Sequence, residues 1–278
     1  MAKRRRNSAH RGGEAHYALI PRGKAYKPYI VIQDVPSLGR STRTYGIKTG
    51  RQHDFLSDLE RNYFVILEFM EDVVDIREQF PLELEETLLI AEELGIKHPV
   101  NPVTRESITM TSDFCITLKT RNPMYDVIRT VKYKKELANR RVIEKFAIEK
   151  AYWERHGLDW GIVTEEEVAK HYSQNVSDIL DYYYLQDNES FKDIGIGEKD
   201  DIIIAFLQRL IDCNNSVRQI SSLFEKDLHL EKGSGIALFK HLLARKYISV
   251  DLFSPLNIDR QLRVELLVKA REIGEIVS

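Results

Sequence analysis

Apolar residues recur every three or four positions, the spacing of a buried helix face, in two long stretches of the first half of the chain. These stretches are 55–70 and 138–156, and Gly157 follows the second one as a stop signal. A shorter apolar run at 88–94 precedes Gly95, a residue suited to ending a helix. The pattern therefore predicts a helix at each of these places.

Segments typical of β-strands lie between these helices and beyond them. Residues 73–80 alternate apolar and polar side chains, and Pro81 is expected to end that strand or lie at its edge. The turn sequence Thr-Arg-Asn-Pro at 120–123 separates two strand-like runs and predicts a hairpin. The strand-like segments are 28–32, 73–80, 110–118, 127–131 and 160–164. This order predicts an α/β (α+β) domain, a mixed sheet flanked by helices.

The second half of the chain has a different character. Residues 165–201 are rich in acidic and polar side chains and contain loop markers, so the domain junction is placed early in this stretch. Helix-like runs at 201–211, 216–224 and 236–245 precede a strand-like run at 247–252, the order of a helical, winged-helix-like domain. The last helix has a mild basic charge, which favours protein contacts first and DNA contacts second. The basic residues are Lys240, His241, Arg245 and Lys246.

These patterns divide the chain into three expected regions. Residues 1–27 form a basic flexible arm, 28–168 the mixed-sheet domain, and 169–278 the winged-helix-like domain. The arm carries Arg4, Arg5 and Arg6 among eight Lys and Arg residues and a single acid, Glu14. Two interpretations stay open: a segment that follows DNA phosphates, or a disordered solvated tail.

Composition narrows the possible classes. The 278 residues include 41 Lys and Arg against 43 Asp and Glu, a net charge of −2, which argues against a strongly basic DNA-coating protein. Cys115 and Cys213 lie far apart, so neither a zinc knuckle nor a disulfide framework is indicated. No apolar run reaches the roughly 18 to 20 residues of a membrane helix, and the basic start lacks an apolar signal core. We expect a cytoplasmic protein with no membrane partner.

Three residues carry the candidate chemistry: Glu60 on a predicted helix, Asp113 on a predicted strand and Lys132 at the end of the next strand. An acid, an acid and a lysine in this order are typical of metal-dependent nucleases of the restriction-endonuclease fold. Phosphodiester hydrolysis requires that the negative charge on the phosphate oxygens be stabilised and that a water molecule lose a proton. A Mg²⁺ ion bound by carboxylates can do both. Asp113 and Glu60 would bind the ion, with Mn²⁺ as a possible substitute and the Val131 carbonyl as a further oxygen ligand. Lys132 would orient or deprotonate water, or neutralise phosphate charge.

Each of these residues also has a purely structural interpretation. Ser57 and Glu60 match the S-x-x-E capping box, so Glu60 would only close a helix N-terminus. Asp113 would be an ordinary strand-edge residue. Lys132 would begin a solvated basic stretch that continues through Lys134, Lys135, Arg140 and Arg141. Spacing alone does not choose between these interpretations.

Longer matches of sequence resemble the TnsA family of endonuclease subunits from heteromeric, cut-and-paste bacterial transposases. The resemblance runs from about residue 29 to 164. Its main segments are LSDLE at 56–60, DIREQFPL at 75–82, GIKHP at 95–99, SDF at 112–114 and VK at 131–132. It implies a restriction-endonuclease-like fold in which Glu60, Asp113 and Lys132 are catalytic.

The resemblance also implies partners and a division of labour. A TnsA-like subunit cuts the 5′ strands of double-stranded DNA at transposon ends, while a TnsB-like DDE recombinase cuts and joins the 3′ ends. The C-terminal region would engage a TnsC-like AAA+ regulator. Lys134, Lys135, Arg140 and the arm would hold flanking DNA.

One position departs from the family pattern. The expected glutamine or glutamate two residues before the lysine is Thr130 here. Either its hydroxyl serves as a metal ligand, or that ligand comes from elsewhere, for example from Glu149. Three functions therefore stand beside each other: the active 5′-strand endonuclease, a non-catalytic assembly subunit, and a stand-alone restriction or junction-resolving nuclease.

Overall fold

Hydrogen bonding and packing divide the chain into two compact units. The computed structural model describes residues 16–34, 40–120, 122–212 and 214–267. The first unit comprises residues 1–61 and 70–166, and the second comprises 62–69 and 167–278. The later division, between Glu166 and Glu167, falls two residues before the end of the predicted first domain at 168.

A four-stranded mixed sheet organises the first unit. Its strand order is β3-β4-β5-β6, antiparallel for the first two pairs and parallel for β5 and β6. Helix α3 connects the parallel strands, since a parallel pair needs a crossover. In chain order the elements are β1 (Thr42–Gly46), β2 (Arg51–Phe55), α1 (Asp58–Phe69), β3 (Val73–Pro81), α2 (Leu84–Glu93), β4 (Thr111–Leu118), β5 (Tyr125–Val131), α3 (Arg140–Arg155) and β6 (Asp159–Val163).

The predicted helices and the hairpin are present, and most of their limits agree within a few residues. Strand β3 is buried along almost its whole length rather than on alternate residues, because both of its faces are covered. The predicted strand at 28–32 is wrong. Pro28 has no amide proton to donate, and a short 3-10 helix forms at Ile32–Asp34 instead.

The β1–β2 hairpin was not predicted, because its sequence is polar and lacks the alternation of a half-buried strand. Contacts distant in sequence hold it to β3. Arg51 binds both carboxylate oxygens of Glu78 at 2.7 and 2.5 Å, and His53 Nδ1 lies 2.7 Å from Glu78 Oε2. Although burial opposes ionisation, these partners lower the pKa of Glu78 to about 2.

Residues 16–27, expected to belong to a flexible arm, instead pack on the first unit. Tyr26 is 2% exposed within the main hydrophobic core, and its hydroxyl donates to the Glu78 carbonyl at 2.7 Å. Arg22 pairs with Asp126 at 3.1 Å, and the Gly23 amide donates to Asp75. Aromatic burial and these polar contacts anchor the segment. The remainder of the expected arm lies outside the described residues.

Arg77 is the centre of a buried ionic cluster beneath the sheet. Its guanidinium is 1% exposed and lies 3.2 Å from Asp75 and 2.8 Å from Asp126. Burial opposes ionisation of Asp126, but the Arg77 charge and the hydrogen bonds from Thr117 and Arg77 together outweigh it and lower the pKa of that carboxyl. The cluster therefore links β3 to β5 through paired buried charges.

The second unit is mainly helical. Helix α4 was missed, because its polar face resembled the acidic loop predicted for 165–201. Helices α6 and α7 begin within a few residues of the predicted limits, and the capping box of Ser216 and Gln219 fixes the start of α6. The elements are α4 (Lys170–Leu180), α5 (Ile196–Asp212), α6 (Val217–Asp227), α7 (Ser234–Ala244), β7 (Ile248–Ser249) and β8 (Glu265–Leu266).

The strands β7 and β8 pair antiparallel after α7, but each has only two residues. This order is compatible with a small wing, and the winged-helix assignment of this unit stays a prediction. No helix in the described ranges is long and apolar enough to cross a membrane.

Close contact between α6 and α7 predicts the effect of a single methyl group. A Cβ added at Gly235 would lie 2.6 Å from the Ser221 Cβ and 2.7 Å from its Cα, and backbone cannot move aside cheaply. We expect Gly235→Ala to destabilise the second unit by about 1–3 kcal/mol, measured by denaturant unfolding.

Gly197→Ala is the matched control, since nothing lies within 4 Å of its added Cβ in α5. It should leave stability unchanged or raise it by up to about 1 kcal/mol. Equal midpoints for the two variants would contradict the close α6–α7 packing.

Candidate active site

Asp113 lies where the sheet pairing of β4 is interrupted. On one side the ladder pairs Glu78 with Phe114 and Phe80 with Ser112. Between them Gln79 adopts a φ of 46°, in the left-handed region that a glutamine rarely occupies. Strained backbone of this kind persists only where surrounding contacts enforce it.

On the other side the β4–β5 ladder begins at Phe114 and Arg129. Next to it, the Val131 amide donates to Asp113 Oδ2 at 2.7 Å, so a carboxylate takes the place of a backbone acceptor. Gln79 Nε2 donates to Asp113 Oδ1 at 3.3 Å. The Asp113 carboxylate is therefore held between the two neighbouring strands.

Glu60 reaches the same place from the first turn of α1. Its amide donates to the Ser57 hydroxyl oxygen at 3.2 Å, and its carboxylate accepts from the Ser57 hydroxyl at 2.8 Å and the Leu56 amide at 3.2 Å. The capping interaction expected from sequence is thus present, and Glu60 also lies in the cavity. The capping contacts and a position on the cavity wall are therefore compatible for this residue.

Glu60 and Asp113 form a buried pair of like charges. Burial, followed by the Asp113 charge, raises the pKa of Glu60 to about 7. Burial also raises the pKa of Asp113, against the opposing effects of the Val131 amide and the Lys132 charge. Removing protons from both acids without a compensating cation is therefore unfavourable.

Both acids line a cavity of about 660 Å³ that also contains the third predicted residue, Lys132. The Lys132 side chain is 37% exposed, and its Nζ lies 3.2 Å from Glu136 Oε2. Its amide donates to the Val163 carbonyl at 2.9 Å, which fixes the backbone at the end of β5. The three residues proposed from sequence are thus brought together by α1, β4 and β5.

Thr130, the departure from the family pattern, is buried and binds a second acid. Its hydroxyl donates to Glu149 Oε1, so its proton is not available for another contact. Ser112 Oγ and Trp160 Nε1 donate to the same oxygen at 2.6 and 3.0 Å. Burial outweighs these bonds and raises the pKa of Glu149 to about 7. Glu149 and Thr130 both line the cavity.

Of the predicted DNA-binding residues, the three that the structure describes, Lys134, Lys135 and Arg140, do not line this cavity. Lys134 Nζ pairs with Glu166 at 2.6 Å, and Arg140 pairs with Glu144 at 2.9 Å. Lys135 lies over the Tyr133 ring. Arg4, Arg5 and Arg6 lie outside the described residues.

The donors present suit a hard divalent cation. Carboxylate oxygens of Glu60 and Asp113, together with the Val131 carbonyl, are the ligand types that Mg²⁺ prefers. Burial and the negative charge of Asp113 raise the pKa of Glu60, and a bound cation would offset both effects. Across the described ranges, no three Asp, Glu, His or Cys side chains are grouped to hold a metal by themselves. Water or substrate oxygens would have to complete the coordination.

Gln79 is the site residue that sequence reasoning missed as a functional group. In the sequence it stood out only as part of the segment 75–82. Its neighbours in sequence do not predict its left-handed conformation or its hydrogen bond to Asp113. Glu149 was noted as a substitute ligand, and only the folded chain shows its bond to Thr130.

The mixed sheet, with an acid on α1, an acid on β4 and a lysine after β5, defines a restriction-endonuclease-like domain. Comparison with known proteins agrees. The family model "TnsA-like endonuclease N terminal" matches residues 70–165, and "TnsA endonuclease C terminal" matches 167–252. The chain is also 41% identical over 154 residues to the Transposon Tn7 transposition protein TnsA of Escherichia coli.

The chain therefore belongs to the TnsA-like endonuclease family. The aligned part covers 55% of this chain and 55% of the length of the curated relative. The first family match includes Asp113, Thr130, Lys132 and Glu149, whereas Glu60 precedes it.

The raised pKa of Glu60 predicts a pH-dependent stability. Its ordinary pKa is 4.5, and its folded value is about 7. Below pH 4.5 both states hold the proton; as pH rises towards 7 the unfolded chain releases it first, which favours unfolding. Without divalent metal, we expect the free energy of unfolding of the first unit to fall across this range.

Glu60→Gln should reduce this fall, and the remainder should reflect Asp113 and Glu149, since the pKa of Asp113 is raised and that of Glu149 is raised to about 7. Glu154→Gln removes an exposed carboxyl of α3 and serves as the control. Denaturant titrations at pH 4.5, 6 and 7.5 test this, with chosen values spanning the two pKa values. Identical pH profiles for Glu60→Gln and wild type would contradict it.

Proposed function

We propose that this protein is a metal-dependent DNA endonuclease subunit of a cut-and-paste transposase, which cuts the 5′ strands at transposon ends. The observation that carries the proposal is the meeting of Glu60, Asp113 and Lys132 in one cavity of a restriction-endonuclease-like domain. Family membership supports it, since a relative of this chain is a Tn7 transposition protein. A TnsB-like recombinase would cut and join the 3′ ends.

Glu60, Asp113 and the Val131 carbonyl would hold Mg²⁺, and Mn²⁺ offers the same charge with similar ligands. When bound, the ion would supply charge stabilisation at the phosphate and an acidified water. Asp113 is suited to be the central ligand, because Val131 and Gln79 fix both of its oxygens. Glu60 is fixed by the first turn of α1.

Lys132 would neutralise charge on the phosphate or orient the attacking water. Its present partner, Glu136, is 40% exposed, and such an ion pair is weak. The ammonium can therefore exchange Glu136 for a phosphate oxygen at small cost. The fixed backbone at Lys132 keeps the side chain directed to the cavity while this exchange occurs.

Glu149 would supply the carboxyl that Thr130 lacks. Three hydroxyl and indole donors converge on its Oε1, which leaves Oε2 for a proton or another ligand. With a pKa near 7 the group can hold or release that proton around neutrality. Thr130 then acts by positioning Glu149.

The second unit is proposed to contact partners, a TnsC-like AAA+ regulator first and the TnsB-like recombinase or DNA second. Its winged-helix-like order of α6, α7, β7 and β8 is compatible with either role. The helix α7 is largely buried, so little of it is free to enter a DNA groove.

Loss of Asp113 tests the catalytic proposal. In Mg²⁺, with a TnsB-like recombinase and labelled transposon-end DNA, we expect Asp113→Asn to lower 5′-strand cleavage by roughly 10³-fold and to leave 3′ joining intact. Lys132→Ala should lower it by about 10²-fold or more. Strand-resolved gels measure both strands in one reaction.

Lys150→Ala is the control for Lys132→Ala, since this exposed lysine of α3 lines neither the cavity nor its mouth. Unchanged 5′ cleavage in Asp113→Asn would remove Asp113 from the chemistry. Absence of 5′ cleavage by wild type, with 3′ joining preserved, would instead identify a non-catalytic assembly subunit. Cleavage by wild type without any partner would favour a stand-alone nuclease.

Metal binding can be tested without activity. Because metal binds deprotonated acids, Mg²⁺ should raise the melting temperature of the first unit more at pH 8 than at pH 5, as measured by calorimetry. Asp113→Asn should abolish the increase, whereas Asp193→Asn, an exposed acid of the second unit, should retain it. An equal increase in both variants would place the metal elsewhere.

A further inference from the structure

A second cavity, of about 340 Å³, opens beside the catalytic one and is lined by basic side chains. We call it the basic groove; its residues are Lys97, His98, Pro99, Val100, Ile108, Arg141 and Lys145. None of these described lining residues is an acid. The groove belongs wholly to the first unit.

Its positive charge comes from Lys97, Arg141 and Lys145. His98 contributes little at neutral pH, because burial and the nearby Arg141 charge lower its pKa. No acid of the described ranges lies within ion-pair distance of Lys97 or Lys145. Arg141 is partly neutralised by Glu144 at 3.1 Å, so the two lysines are the freer charges.

The groove is continuous with the catalytic cavity. Pro99, Ile108 and Lys145 line both. Burial and the charges of Lys132 and Arg141 lower the pKa of Lys145, and the charge of Glu149 opposes them only in part. An anion placed there would relieve the repulsion.

The start of α3 adds to the same field. Arg141 lies in its first turn, where no acidic side chain offsets the partial positive charge of the helix N-terminus. Chains of phosphates suit such an arrangement, because they present regularly spaced negative charges. By contrast, the basic residues predicted from sequence, Lys134 and Arg140, are already paired with acids.

We propose that the basic groove binds the phosphodiester backbone of the DNA strand next to its scissile phosphate, with Lys97 and Lys145 as the principal contacts. This inference rests on the proposed endonuclease function and specifies how its substrate is held. The shared residues place the bound phosphates directly beside Asp113 and Lys132. Lys145, which lines both cavities, would contact the phosphate nearest the reaction.

The test measures binding of fluorescent duplex DNA to the full chain. Fluorescence anisotropy monitors the binding, in EDTA and over a range of salt concentrations. Each lysine–phosphate contact contributes about one unit to the slope of log affinity against log salt. In Lys97→Ala/Lys145→Ala we expect the slope to become shallower by about two. The loss of affinity over a fourfold rise in salt should then be about tenfold smaller than in wild type.

Lys119→Ala/Lys150→Ala is the matched control, because it removes the same charge from exposed positions of the first unit that line neither cavity. Its slope should equal that of wild type. Equal slopes for wild type and the groove variant would contradict the proposed DNA contacts of the basic groove. Absence of DNA binding by wild type would contradict them as well. So would an equal change in both double variants, which would mark a diffuse charge effect.

Failure of the groove is distinguishable from failure of the endonuclease proposal. Binding is measured without divalent metal and needs no cleavage, whereas the catalytic proposal depends on 5′ cuts that vanish in Asp113→Asn. A groove-dependent salt slope in a protein that makes no 5′ cuts would keep the DNA site and remove the nuclease. Lost 5′ cleavage in Asp113→Asn with an unchanged groove slope would do the reverse.

Discussion

Two carboxylates held close together away from water set the main constraint on this protein. Glu60 and Asp113 repel each other and are poorly hydrated, so the fold must provide donors to both. The sheet does this by interrupting its own pairing. Gln79 adopts a strained conformation on one side of Asp113, and Val131 turns its amide to the carboxylate on the other. The site forms because the regular backbone hydrogen bonds between neighbouring strands are interrupted at this point.

Such strain requires rigid surroundings, and the ion pairs of β3 supply them. Glu78, directly before Gln79, is held by Arg51 and His53, and Arg77 is held by acids on β3 and β5. These groups are buried, and removing one partner would leave an uncompensated charge. The networks therefore fix the strand on both sides of the irregular residue. The polar hairpin β1–β2 and the segment 16–27 are best understood as part of this support.

The same domain separates two electrostatic tasks. The acids of the catalytic cavity are suited to a cation, whereas the lysines of the basic groove are suited to phosphates. Lys145 lies at the border between them, and Lys132 lies within the acidic side. Thr130 donates to Glu149, a buried carboxyl of α3. We propose that this carboxyl, distant in sequence, replaces the one that the strand position lacks.

The sequence by itself determined most of the helices and the β4–β5 hairpin, and it proposed three residues that the fold brings to one cavity, because periodicity, turn chemistry and residue type are local properties. Only the tertiary structure decided the conformation of Gln79, the hairpin β1–β2, the folding of residues 16–27 and the basic groove. Each of these depends on partners tens of residues away: Asp113 for Gln79, Glu78 for Arg51, and Lys97 beside Lys145. A local pattern carries no signal for such contacts, since their free energy arises only when the distant groups are brought together.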